Sequence, residues 1–162
     1  MRFRWWYGLV INIVLAALVI TGAARLMGAA LKLRITDADS GKPYGQWPVK
    51  EGDIFAVEFI HSVNNTPVRE TFMLSGLEIR PIASRFSSFG AGIQTNLEEG
   101  QELARDGEFL LITGFGASYK ELNYIVGTVS DHLLYIHNEK ISLRDRCGKN
   151  AHIRIRVKKG IL

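Results

Sequence analysis

Apolar and polar side chains alternate through much of the chain after residue 30, most clearly over residues 54–61 (IFAVEFIH), 68–74 (VRETFML) and 153–157 (IRIRV). Alternation with a period of two is typical of strands that bury one face. The same pattern predicts further strands over residues 31–35, 77–82, 109–115, 121–126, 133–136 and 141–143. We therefore expect about eight or nine short strands in an all-β domain, a small antiparallel β-sandwich or barrel.

Two segments lack this alternation. Residues 37–45 (DADSGKPYG) carry turn-forming residues and are predicted to be a loop. Residues 84–108 contain several glycines and a cluster of acidic residues, with room for one short helix at about residues 97–103. A loop of this length in a compact domain is usually functional or mobile.

The N-terminal segment has a different pattern. Residues 8–24 carry no charge, and Trp5, Trp6 and Tyr7 precede them, next to Arg2 and Arg4. A positive end, an aromatic belt and an apolar run long enough to span a membrane predict one transmembrane helix in residues 1–30, with the N-terminus in the cytoplasm. Residues 31–162 then form an extracytoplasmic domain, which we place in the periplasm. A cleaved signal peptide is the alternative, and it leads to the same side of the membrane.

The distribution of charge excludes nucleic-acid binding as an expected function. Residues 1–34 hold five basic side chains and no acidic one, whereas residues 35–162 hold 15 basic and 16 acidic side chains. The positive excess thus belongs to the predicted anchor, and the folded domain is near neutral. The single cysteine, Cys147, excludes an intramolecular disulfide.

One ionisable residue interrupts the apolar face of each of the two strongest neighbouring strands. These residues are His61 in the first strand and Glu70 in the second. In an antiparallel hairpin the two apolar faces coincide when the residue numbers of opposed positions have an odd sum. A sum of 131 places His61 opposite Glu70, and a sum of 129 places them diagonally. We therefore predict a half-buried His61–Glu70 pair, because a buried carboxylate needs a partner.

Three interpretations of this pair remain open. The pair, together with Ser62, could fix the hairpin loop as a structural element, or it could form the polar part of a binding site. A hydrolase that uses His61, Ser62 and Glu70 is the third interpretation. Adjacent strand residues point to opposite faces, which makes His61 a poor general base for Ser62.

Other candidate sites have weaker signals. Gly90, Ala91 and Gly92 form a predicted tight turn whose backbone N–H groups could bind an anion. The spacing of His132, His137 and His152 matches no zinc motif, so we expect no metal and no cofactor.

Three motifs in order carry a resemblance to a known family: His61-Ser62-Val63, then Pro67-Val68-x-Glu70, then Phe89-Gly90-Ala91-Gly92. Together with Asp131-His132-x-Leu134 and the final alternating strand, they make residues 31–158 resemble the DUF1850 family, a bacterial family of unknown function. This chain lacks the proline that often follows the Gly-Ala-Gly segment in that family. The resemblance implies no known activity. It implies a small anchored or exported protein encoded beside a tripartite periplasmic (TRAP) transporter whose substrate receptor is of the TAXI type.

The resemblance leads to a functional hypothesis. We expect a non-enzymatic, membrane-anchored accessory subunit of a solute transporter in the bacterial inner membrane. Its periplasmic β domain would contact the permease or the substrate receptor through the 84–108 loop and the His61/Glu70 end. The alternative is a stand-alone periplasmic module that binds a small ligand near His61, Glu70 and Gly90–Gly92.

Overall fold

A computed structural model of the chain describes residues 30–62, 65–87 and 96–160, together with Val14. Within those residues no helix is long and apolar enough to cross a membrane. The predicted anchor in residues 1–30 lies outside the described residues, apart from Val14 and Ala30. The predicted turn at Gly90, Ala91 and Gly92 lies outside them as well.

Residues Leu31–Lys159 form one compact unit that is almost entirely β. Its described part contains eleven strands and one short helix. They are β1 (Leu31–Asp37), β2 (Pro43–Val49), β3 (Ile54–Ile60), β4 (Pro67–Ser75), β5 (Glu78–Phe86), β6 (Glu102–Asp106), β7 (Phe109–Thr113), β8 (Leu122–Ile125), β9 (His132–Ile136), β10 (Glu139–Ser142), α1 (Leu143–Cys147) and β11 (His152–Lys159).

The strands form two antiparallel sheets. The order in the four-stranded sheet is β2-β1-β11-β8, and the order in the seven-stranded sheet is β10-β9-β3-β4-β5-β7-β6. One buried cluster includes Leu33 and Ile155 from the first sheet and Phe55, Leu74 and Leu134 from the second. Because the two sheets share this core and each keeps its own edges, the architecture is a sandwich and not a closed barrel. The predicted all-β, antiparallel fold is confirmed.

The structure corrects the expected number of strands. The predicted loop over residues 37–45 extends into β2, and the predicted loop over residues 84–108 contains β6 and the end of β5. The short helix expected near residues 97–103 is wrong, because Glu102 and Leu103 already belong to β6. Both missed strands are edge strands, where prolines and fully exposed charged residues are tolerated because one side of the strand needs no hydrogen-bonded neighbour.

The β3–β4 hairpin confirms the predicted shared face but not the predicted register. Phe55 lies opposite Phe72, Phe59 opposite Val68 and Val57 opposite Glu70, so opposed positions sum to 127. The sum is odd, and the two apolar sets therefore face the core together. The predicted pairing of His61 with Glu70, opposite or diagonal, is wrong, since β3 ends at Ile60 and the His61 N–H donates to the Thr66 carbonyl at 2.8 Å.

Candidate functional site

A cavity of about 820 Å³ lies on the inner face of the seven-stranded sheet. Strands β3, β4, β5 and β7 provide its apolar walls, which consist of Phe59, Val68, Phe86 and Ile112, together with Phe115 just after β7. Val68, Phe86 and Ile112 form a second buried cluster, separate from the main core between the sheets. The inner face of the seven-stranded sheet therefore has two parts: one packs in the main core, and the other forms the wall of the cavity. The volume is in the range typical of small-molecule sites.

Glu70 is the acidic residue that lines this cavity. It lies in β4 between Val57 of β3 and Ser84 of β5, and its Oε2 accepts a hydrogen bond of 2.6 Å from the Tyr124 hydroxyl. Burial raises the pKa of Glu70, and the bond from Tyr124 lowers it in part. In the described part of the chain, this is the only hydrogen bond that the structure shows for the Glu70 carboxyl group. Oε1 is therefore available to a bound molecule.

His132 lies beside Tyr124, the hydrogen-bond partner of Glu70, and is another ionisable residue in the wall of the cavity. Its ring stacks on Phe59 with centroids 5.0 Å apart and meets the edge of Tyr124 at 6.1 Å. The Gly127 N–H donates to Nδ1 at 3.1 Å, which places the proton of the neutral ring on Nε2. Burial lowers the pKa of His132, and the nearby Asp131 opposes that shift. His132 is therefore a neutral donor at neutral pH.

The loop 127–130 closes one side of the cavity and depends on a glycine. A Cβ added to Gly127 would lie 2.2 Å from the Ser130 carbonyl oxygen, closer than any side chain allows. The Ser130 hydroxyl reaches the Ile60 carbonyl oxygen at 3.5 Å and so ties this loop to the end of β3. Gly127, Thr128, Val129 and Ser130 all line the cavity.

The structure brings together three of the residues that the sequence singled out. His61, Ser62 and Glu70 all line the cavity, although the first two lie in the turn after β3 and not on the strand. Strand alternation therefore does not separate His61 from Ser62. Pro67 begins β4 opposite Ile60 and positions the strand that carries Glu70.

Tyr124 and His132 were missed as site residues. His132 had a signal, because the Asp131-His132-x-Leu134 segment is one of those that fit the family pattern. Tyr124 had none, since it lies 54 residues from Glu70 and belongs to the other sheet. His137, the histidine nearest to His132 in the sequence, lies in the turn after β9. Its Nε2 is 3.1 Å from Oδ2 of Asp53, just before β3.

A family model described as domain of unknown function (DUF1850) matches residues 55–143. The match begins within β3, ends just after β10, and includes every described residue that lines the cavity. The chain belongs to this family. The cavity and its Glu70–Tyr124 bond are thus located in the matched DUF1850 region, whereas β1, β2 and β11 lie outside it. Neither the comparison with curated proteins nor the comparison with solved structures found a match.

Proposed function

We propose that this DUF1850 domain binds a small molecule in the cavity beside Glu70. The observation that carries the proposal is a partly buried carboxyl group in the wall of a cavity of about 820 Å³, with Oε2 bound to Tyr124 and no hydrogen bond shown for Oε1 in the described residues. Burial disfavours the ionised form of this carboxyl group and raises its pKa. A ligand that donates a hydrogen bond to Oε1 stabilises the ionised form, which favours binding.

The lining indicates the chemistry of the ligand. Phe59, Phe86 and Phe115 suit an apolar or aromatic body, and Glu70 suits a group that donates hydrogen bonds. A cationic amine fits this position best, because a positive charge stabilises the ionised carboxylate that burial disfavours. A hydroxyl group fits less well, and a carboxylate would meet charge repulsion.

Binding without catalysis is supported by the strand register. A hydrolase built on His61 and Ser62 needs an acidic residue that orients the histidine. Glu70, the candidate for that role, lies opposite Val57, four residues before His61, so the β3–β4 hairpin does not bring the two side chains together. We therefore assign Glu70 to ligand recognition.

A series of ligands with one chain length tests the proposal. Hexylamine, hexanol and hexanoate share an apolar body and differ in the polar group. We expect hexylamine to raise the melting temperature most, hexanol less and hexanoate least. In Glu70→Gln the preference for the amine should disappear, with the affinity for the amine reduced at least tenfold.

Glu78→Gln is the matched control. Glu78 is an exposed residue of β5 that accepts from Ser118 at 2.6 Å and does not line the cavity. This variant should bind the amine as the parent protein does. Equal responses of the parent and Glu70→Gln, or no response to any of the three compounds, would contradict the proposal.

A role beside a solute transporter is the second candidate function, and a ligand-binding domain is compatible with it. Its support is the family membership, together with the resemblance that connects such proteins with tripartite TAXI-type transporters, and the apolar run over residues 8–24. We infer that the chain is held at the membrane by that run and contacts the permease or the substrate receptor. Tagged protein at native levels should co-purify with one of them, and its repeated recovery without either would end this hypothesis.

A further inference from the structure

The outer face of the four-stranded sheet is strongly basic. In β1 and β11, the residues Leu33, Ile35, Ile155 and Val157 point into the core. Because side chains alternate along a strand, the residues between them point outward. These outward residues are Lys32, Arg34, Arg154, Arg156 and Lys158, which we call the basic face.

The strand register places like charges opposite each other on this face. Lys32 lies opposite Lys158, and Arg34 lies opposite Arg156. Directly opposed like charges destabilise a sheet. Two such neighbouring pairs are thus unfavourable for folding alone, and an anionic partner would offset the repulsion.

The sandwich itself supplies little counter-charge here. Glu121 contacts Arg154 at 3.3 Å and also bonds to Arg156. In the described residues no salt bridge involves Lys32, Arg34 or Lys158. Five cations and one carboxylate leave this face with a net charge of +4.

The concentration of charge is local. Residues 31–159 contain 17 basic and 16 acidic side chains, so the unit as a whole is near neutral. A group of acidic residues lies instead on or next to β6, at one edge of the seven-stranded sheet; it comprises Glu98, Glu99, Glu102, Asp106 and Glu108. The domain is therefore polarised, with one sheet face suited to an anionic surface.

We propose that the basic face binds a membrane surface of anionic phospholipid headgroups. Seven residues separate the predicted membrane-spanning run over residues 8–24 from Lys32, the first residue of the basic face. With that run in a membrane, this short connection would raise the effective concentration of the face at the bilayer surface. Basic side chains near an anionic surface contribute additively to attraction, each increasing affinity roughly fivefold at moderate salt. The inference is independent of the ligand proposed for the cavity.

Lysine labelling of the full chain in lipid nanodiscs tests the proposal. The protein is placed in discs of phosphatidylcholine with or without phosphatidylglycerol, and acylation of each lysine is followed by mass spectrometry. Lys32 and Lys158 should be labelled severalfold more slowly in the anionic discs, and high salt should remove the difference. Lys140 of β10, in the other sheet, is the internal control and should react alike in both discs.

Two variants separate a lipid contact from a change in folding. Arg34→Gln removes one like-charge pair, so we expect a fold at least as stable. It also removes one charge, worth roughly fivefold in affinity for the anionic surface, so the slowing of Lys32 and Lys158 labelling should be largely lost. Arg80→Gln, an exposed position of β5 outside the basic face, should change neither. Equal labelling of Lys32 and Lys158 in the two kinds of disc would overturn the proposal. So would protection in native membranes that is absent from anionic discs, because that result indicates an acidic protein partner.

Discussion

The Tyr124 hydroxyl donates a hydrogen bond of 2.6 Å to Oε2 of Glu70 and thereby joins the two sheets of the sandwich. The two residues influence each other's ionisation. Burial and the neighbouring carboxylate raise the pKa of Tyr124 well above its ordinary value, while the same bond partly opposes the rise in the pKa of Glu70. At neutral pH Tyr124 is thus a permanent donor, and one oxygen of Glu70 remains for a ligand.

Removal of this donor should weaken the fold. In Tyr124→Phe the Glu70 carboxyl group loses its partner, and we expect a loss of about 1–3 kcal/mol in the free energy of unfolding. Urea denaturation at neutral pH measures the change. Tyr119→Phe, at an exposed tyrosine, is the control and should have little effect. Equal losses in both variants would argue against a stabilising role for the bond.

The stability should depend on pH through Glu70. The pKa of Glu70 is raised in the folded state, so the folded protein holds this proton more tightly than the unfolded chain does. Its contribution to stability is therefore largest below the ordinary value of 4.5 and is lost as the pH rises through the raised pKa.

Glu70→Gln provides the measurement. The glutamine keeps an acceptor for Tyr124 and cannot ionise. The parent protein loses stability as Glu70 ionises, so the variant should become more stable relative to the parent as the pH rises from about 4 to 8. The difference corresponds to about 1.4 kcal/mol for each unit of the pKa shift. Urea unfolding of both proteins across this range would show it, and a difference that does not vary with pH would contradict the raised pKa.

His132 should remain neutral in mildly acidic solution. Its pKa is lowered from 6.5 because the charged ring is disfavoured by burial. As the pH falls, the unfolded chain takes up this proton before the folded protein does. The contribution of neutral His132 to the stability is therefore complete above pH 6.5 and is lost as the pH falls through the lowered pKa of the folded state. A nitrogen-detected NMR titration should show a midpoint below 6.5, with the proton of the neutral ring on Nε2. A proton on Nδ1 would conflict with the bond from Gly127.

Gly114 should tolerate no side chain. Its φ is +78°, and an added Cβ would lie 2.1 Å from the Gly100 carbonyl oxygen. We expect Gly114→Ala to lower the free energy of unfolding by about 1–3 kcal/mol, from backbone strain and the required shift of the neighbouring loop. Gly116→Ala is a close control, because nothing lies within 4 Å of its added Cβ. Thermal denaturation of the two variants should separate them clearly.

The β3–β4 hairpin shows how far local pattern predicts the site. The alternation of Phe55, Val57 and Phe59 with polar residues identified the buried face, and an odd register followed from it. Every odd register satisfies that pattern, so the choice between 127 and 131 was left to the turn. That turn bonds His61 to Thr66 and holds Asn65 at φ 53°, a backbone geometry that the hydrophobic pattern does not specify.

The sequence by itself determined the antiparallel β class, the strands with one buried face and the presence of Glu70 on an apolar face. These follow from side-chain alternation, which is a local property of the chain. Only the tertiary structure decided that the partner of Glu70 is Tyr124 and not His61, and that a cavity opens beside it. The physical reason is that this contact depends on how one sheet packs on the other, and strand periodicity carries no information about the alignment of two sheets.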